Sequence, residues 1–255
     1  MENRQEQLIK LHAYTLSDGS LNRDREGCWR LIFTNKDHSL LSDFKETIRS
    51  LGYNYYEQKC SRALQVVVRS RKLAEELFSL SPSYRTRPCS DSPRCPRLAN
   101  SGLGSCMYCE PLQYMGKLYP PAWITNMSNK QLVREFLKVY ASCEGGVKLD
   151  IFSEKPLKIR RQVFIATANP FLSRQLIYLL WTLGISAREE SPSIIISHRA
   201  NLQRFQEMVG FIPNCRVMKG KWRGLTKNEL LTLTLRSYDN ASLLKIHSKM
   251  LSGTG

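Results

Sequence analysis

The sequence predicts a mixed α/β (α+β) protein made of two pseudo-symmetric α-β-β-α-β-β-α repeats that form a strand-rich saddle, with a cysteine-rich insert and a basic C-terminal tail. Three observations carry that reading. Apolar residues recur at helical spacing ahead of paired strand-like runs, twice and in the same order. The stretch LLSDFKETIRSLGY at 40–53 lies over LSRQLIYLLWTLGI at 172–185, each ending in Leu-Gly before an extended run. Pro, Ser, Gly, Arg and Cys crowd into 81–121, between the two periodic halves. The expected boundaries are 1–81 for the first repeat, 82–121 for the insert, 122–210 for the second repeat and 211–255 for the extension.

The elements follow in order. Gln5 to Asp18 places Ile9, Leu8, Leu11 and Leu16 at helical intervals, and Gly19 ends it. Strands are expected at 20–22 and 28–34 about the polar turn 23–27, then a helix over 37–51 closed by Gly52. Two more strands, 53–59 and 63–69, precede a short helix at 71–80. The second half repeats this with a helix at 129–144, strands at 147–152 and 158–167, a helix at 169–183 closed by Gly184, strands at 185–188 and 193–197, and a helix at 200–209. Beyond the repeats, 226–236 has a helical pattern.

With 255 residues, one large domain or two small ones can bury a core without staples. Hydrophobic residues make up 42% and charged residues 24%, and the richest apolar stretch, 176–185, is broken by Thr182 and Gly184. A membrane span is therefore not expected, and the charged start MENRQEQ does not resemble a signal peptide. An intracellular protein is the expectation. The imbalance lies in charge: 38 Lys+Arg against 22 Asp+Glu leave +16. That is the footprint of a phosphate-backbone binder, although a ribosome-associated or membrane-surface protein would share it.

Each half opens with a helix ending in an acid followed by glycine: LHAYTLSDG at 11–19 and LKVYASCEG at 137–145. The two nonapeptides share Leu11/Leu137 and Tyr14/Tyr140, and carry Asp18 and Glu144 at the same position. An acid at a helix C-terminus faces the negative end of the macrodipole, an unfavourable placement without a cation. Two such acids, in register with the double repeat, point to a cation site rather than to polar helix ends. In these residues the chain resembles the single-chain, two-motif LAGLIDADG homing endonucleases, over 5–80 and 128–210.

The resemblance implies a site-specific double-strand DNA endonuclease, and for such a chain without flanking splicing blocks an origin within a mobile intron is the expectation. It implies that the two motif helices pack on a pseudo-twofold axis and that Asp18 and Glu144 meet there, holding Mg²⁺ or Mn²⁺ together with the backbone carbonyls of Ser17 and Cys143. Metal held by carboxylates would activate water and stabilise the leaving oxygen. Ala13 and Ser17, and Val139 and Cys143, occupy the crossing positions, where small residues are usual; Val139 departs from that rule. By resemblance, accessory groups stand at the ends of the second and fourth strands: Asn35, Lys36, Arg69 and Arg71, then Asn169, His198 and Arg199. Lys36, Arg69 and His198 are the catalytic candidates among them. The rival reading is an RNA maturase or DNA-binding regulator that keeps the fold without cleavage.

Candidate DNA readers are Asn22, Arg23, Arg25, Arg30, Lys59, Arg62, Gln65, Lys148, Lys158, Arg160, Gln162 and Arg188, because strand ribbons fit the major groove. A period of two lets only about half of them face DNA. The expected partner is a long asymmetric duplex bound by a monomer. In the insert, Cys89, Cys95, Cys106 and Cys109 are spaced C-x5-C-x10-C-x2-C, which admits a structural Zn²⁺, two disulfides or free thiols. Cys28, Cys60, Cys143 and Cys215 are expected to be small buried residues.

Overall fold

The computed structural model describes residues 2–24, 26–60, 63–81, 84, 129–154, 157–167 and 169–240. The first repeat runs α1 (Glu2–Leu16), β1 (Gly19–Arg23), β2 (Trp29–Asn35), α2 (His38–Ser50), β3 (Tyr56–Cys60), β4 (Ala63–Arg69) and α3 (Arg71–Leu80). The second runs α4 (Lys130–Glu144), β5 (Gly145–Glu154), β6 (Leu157–Ala166), α5 (Pro170–Thr182), β7 (Arg188–Glu190), β8 (Ser193–Ile196) and α6 (Arg199–Met208), and α7 (Lys227–Arg236) follows. Each repeat forms one four-stranded antiparallel sheet with the same order, β1-β2-β4-β3 and β5-β6-β8-β7. The double α+β repeat read from the sequence is the architecture observed.

The shared Leu-Gly is a helix cap in both halves. Gly52 and Gly184 take φ of +81° and +73°, which a residue without Cβ adopts without strain. The amide of the next residue then reaches back into the helix, Tyr53 to Ile48 O at 3.1 Å and Ile185 to Leu180 O at 2.9 Å. That bond draws the chain inward before it extends. The strands expected to start at Tyr53 and Ile185 therefore begin at Tyr56 and Arg188, and Ile185 is fully buried.

One face of each sheet is covered by helices. Leu31, Phe33, Val66 and Val68 from the first sheet and Val163, Ile165, Ile194 and Ile196 from the second enter a single core with α1 and α4. These two helices pack directly against each other, with His12 and Phe136 ring centroids 5.9 Å apart.

The extension departs most from expectation. Its part up to residue 240 folds back onto the repeats, because Phe211, Ile212, Cys215 and Leu231 join the main core while Trp222, Leu230 and Leu233 cover Leu149. Trp222 also donates its indole N–H to Leu149 O at 2.8 Å. Thr226 and Glu229 form a reciprocal capping box that starts α7. Cys28 and Cys60 are exposed rather than buried. Among the described residues, no helix is long and apolar enough to cross a membrane.

Candidate active site and nucleic-acid interface

The two acids are delivered by two tight helix-to-strand corners. α1 ends at Leu16, Ser17 and Asp18 make the turn, and Gly19 starts β1; α4 ends at Glu144 and Gly145 starts β5. A Cβ on Gly19 would stand 2.6 Å from Thr15 Cα and 2.7 Å from Tyr14 O. One on Gly145 would stand 2.6 Å from Phe164 O and 2.7 Å from Ala141 O. Backbone packs where a side chain would have to go, which explains glycine after each acid.

The motif helices pack directly against each other, and residues at the expected crossing positions are inside. Ala13 and Val139 are completely buried and Ser17 nearly so. The Cys143 thiol is pushed well up, by burial first and then by the charge of Asp18, with Ser17 and Lys227 opposing and Glu144 raising it too. Tyr140 is likewise raised by burial and then by Glu144, with Asp18 contributing. Two side chains of α4 thus feel both carboxylates, one from each half.

Asp18 has a further partner. Asn35, the last residue of β2, donates from Nδ2 to Asp18 Oδ2 at 2.8 Å. Its Oδ1 accepts from the amides of Lys36 and Asp37 at 2.8 and 2.9 Å, which fixes the amide's orientation. Lys36 follows directly and is exposed. In the second half Thr167 stands where Asn35 does, hydrogen-bonded to Tyr140, while Asn169 caps α5 through Leu172 N at 3.3 Å.

Arg69 and His198 are not at the acid corners, which corrects their expected place. Neighbouring strands β2 and β4 are antiparallel, so only the end of one and the start of the other can share an edge. Asn35 pairs with Leu64, whereas Arg69 pairs with Arg30, five residues or about 16 Å along the strand. Arg69 there lies 3.6 Å from Asp24, which also meets Arg30 at 3.8 Å. In the other sheet Gly145 pairs with Ile165 and Ile165 with Ile194, leaving His198 four residues beyond that row. His198 instead precedes α6 with φ of +69° and lines an open pocket with Arg160, Gln162, Arg188 and Tyr238. Arg71 and Arg199 are held by Glu75 at 2.8 Å and Asp239 at 2.6 Å.

Register now sorts the candidate DNA readers. In the first sheet Asn22, Arg30 and Gln65 lie on the open face, since Asn22 pairs with Arg30, Arg30 with Arg69, and Thr34 with Gln65; Arg69 joins them. Arg23 pairs with Trp29 and lies over its ring at 4.6 Å, and Lys59 pairs with core-facing Leu64, so both belong to the other face. In the second sheet Lys148 pairs with Gln162 and Asp150 with Arg160, and Arg188 pairs with Ile195, the neighbour of Phe164. Lys148, Lys158, Arg160, Gln162 and Arg188 therefore share one face. Arg25, Arg62, Cys89, Cys95, Cys106 and Cys109 lie outside the described residues.

Sequence reasoning missed Lys227. Its Nζ donates to Ser142 O and Gly145 O, each at 2.6 Å, at the end of α4. No local signal marks it, because the contact closes over more than eighty residues of chain.

No family model matches the chain. Two curated relatives match in part: the replication factor C small subunit of Pyrococcus horikoshii, 31% identical over 87 residues, or 34% of this chain and 9% of that protein, and that of Pyrococcus furiosus, 29% identical over 79 residues, or 31% and 8%. The chain thus spans less than a tenth of their length. Solved structures match far more of it. The LAGLIDADG meganuclease I-AabMI bound to uncleaved DNA superposes with a TM-score of 0.55 over 97% of this chain and 99% of that one, at 11% identity. The homing endonuclease I-WcaI bound to its DNA recognition sequence gives 0.52, with 87% of each chain and 13% identity. A variant of I-DmoI in complex with its target DNA in the presence of Mg gives 0.53, with 82% and 98% covered and 15% identity. The fold is that of the LAGLIDADG homing endonucleases, the resemblance expected from the paired nonapeptides.

Proposed function

We propose that this chain is an intracellular, monomeric, metal-dependent LAGLIDADG endonuclease, of intron-encoded type, that cuts both strands of a long asymmetric DNA site. The two acid-glycine corners, set at the same end of two motif helices that pack directly against each other, carry the reading. The likeness to DNA-bound homing endonucleases supports it. The two open sheet faces hold different side chains, Asn22, Arg30 and Gln65 against Lys148, Lys158, Arg160, Gln162 and Arg188, so the two halves of the site should differ in sequence. Arg reads guanine and Asn or Gln reads adenine bidentately in the major groove.

The donor set fits a hard divalent ion. Asp18 and Glu144 offer carboxylate oxygens, with the Ser17 and Cys143 carbonyls beside them, and such oxygen donors suit Mg²⁺ or Mn²⁺. When bound, the ion supplies an activated water and charge stabilisation at the leaving oxygen. Asn35 holds the Asp18 carboxylate in one orientation. Lys36, exposed beside it, is placed to meet a phosphate, and the sheet residues fix the duplex.

The test is cleavage selection from a duplex library by the full chain in Mg²⁺. One class of non-palindromic site should be cut in both strands. Asp18→Asn and Glu144→Gln should each abolish double-strand cleavage and leave affinity in Ca²⁺ within about threefold, because affinity comes mainly from phosphate contacts. Full cleavage by the double variant would sink the assignment.

A further inference from the structure

Lys227 belongs to the segment beyond both repeats, yet its ammonium ends at the acid-bearing end of α4. The carbonyls it binds, those of Ser142 and Gly145, bracket Cys143 and Glu144. One cation therefore holds the chain on both sides of the second acid.

The contact is a built one. Ser142 is fully buried; its hydroxyl donates to Lys138 O at 2.6 Å and accepts from the Ile212 amide at 2.8 Å. Its carbonyl also receives the Cys215 thiol at 3.7 Å. The Lys227 amide donates to Cys215 O at 2.7 Å, its ammonium lies 5.7 Å from the Phe211 ring centroid, and the Thr226–Glu229 capping box fixes the turn that carries it. The same segment grips the other half. The Arg216 amide donates to Asp37 Oδ2 at 2.7 Å and Ser39 Oγ to Asn214 O at 3.0 Å, two and four residues from the Asn35 that holds Asp18.

We propose that Lys227 is a positioning residue for Glu144. The proposal rests on the reading of Glu144 as a metal-binding acid. The last carbonyls of a helix carry about half a negative charge, and Glu144 adds a full one at the same place. A cation there offsets both, and charge-assisted bonds to two carbonyls fix the backbone that aims the carboxylate. Asp18 is steadied differently, by the Asn35 side chain. The two acids thus depend on different devices, and removing one device should affect the two DNA strands unequally.

The experiment compares Lys227→Met and Lys227→Arg with the unaltered full chain. Hydrogen exchange at the amides of 144–146 is followed without DNA or metal, and nicking of each strand is followed in single-turnover reactions with Mg²⁺. Lys227→Met should speed that exchange by about tenfold and change the ratio of the two nicking rates by about tenfold, with metal-free DNA affinity unchanged; Lys227→Arg should restore both. A purely structural loss would slow both strands alike. Unaltered exchange and an unaltered strand ratio in Lys227→Met, beside a normal chain that cuts both strands, would overturn the proposal. If the normal chain cuts neither strand, the endonuclease reading falls and the exchange result alone decides whether Lys227 holds this corner. Should Lys227→Met lose its cooperative melt, Lys227→Gln, which keeps a donor without the charge, takes the same measurements.

Discussion

Asn35, at the end of β2, donates a hydrogen bond to Asp18 in the corner between α1 and β1, 2.8 Å from Nδ2 to Oδ2. Its amide oxygen, Oδ1, is occupied by two backbone N–H groups, which turns the Nδ2 donor end to the acid. A group that orients a metal-binding carboxylate typically contributes 10- to 100-fold to metal affinity or activity. Asn35→Leu should lower the cleavage rate by about that factor and leave DNA affinity in Ca²⁺ unchanged. Undiminished cleavage at saturating Mg²⁺ would show that Asp18 needs no such partner.

Gly19 and Gly145 make a second prediction, because a Cβ on either would collide with backbone. Gly19→Ala and Gly145→Ala should each destabilise the fold by about 1–3 kcal/mol, the usual range for overpacking. Gly52 has open space around its Cβ position, so Gly52→Ala should cost only the strain of its positive φ. Urea unfolding of the three variants gives the comparison; equal losses at all three would contradict the close approach.

How much was legible follows from the range of each interaction. The acid-glycine corners, the helix caps and the strand pairs are local, and the repeat made them visible twice. The strand starts at Tyr56 and Arg188 are not legible, because Tyr53 and Ile185 look extended while their amides still belong to the helix cap. The ends of successive strands look equivalent in sequence, but the antiparallel pairing of β2 with β4 sends Arg69 to the edge opposite Asn35, and His198 lies four residues beyond the row of Gly145 and Ile165. Lys227, Arg216 and Trp222 were hidden for another reason. They act on residues far away in sequence, and the apolar positions of 211–240 are interrupted by Pro213, Gly220, Gly224 and basic residues, so no single helix or strand period shows which surface they cover.

Arg160 and Arg161 are neighbours with opposite tasks. Arg160 lies on the open face beside Asp150, whereas Arg161 turns inward, donates to Ser237 Oγ and O at 2.8 and 2.7 Å, and lies 4.5 Å from the Tyr238 ring. Arg160→Ala should weaken DNA binding and reduce the salt slope by about one unit, as the loss of one phosphate contact would. Arg161→Ala should instead lower the melting temperature with the slope intact. Salt titrations beside thermal melts decide it, and a slope change in Arg161→Ala would reverse the facing.

The thiols of buried Cys215 and half-buried Cys143 give the last prediction. Cys215 is pushed up to about 11 by burial, with Asp37 raising it and Lys227 opposing, and Cys143 is raised by burial and Asp18. At pH 8 an alkylating reagent should label Cys28 and Cys60, which are exposed, and spare Cys143 and Cys215, as peptide mapping would show. The same shifts set an alkaline limit to stability. A thiol whose folded value lies above its unfolded one keeps its proton in the fold while the unfolded chain releases it, so the fold binds more protons than the unfolded state and stability falls with rising pH. The loss begins near the ordinary thiol value of 9.0 and continues through the folded value of Cys215, joined near 10 by Tyr14, Tyr84 and Tyr140, all raised by burial. Urea midpoints should therefore decline from pH 8.5 to about 11, and Cys215→Ala should flatten the first part of that decline. A flat profile, or rapid labelling of Cys215 in the folded protein, would mean that the extension does not cover α4 as described.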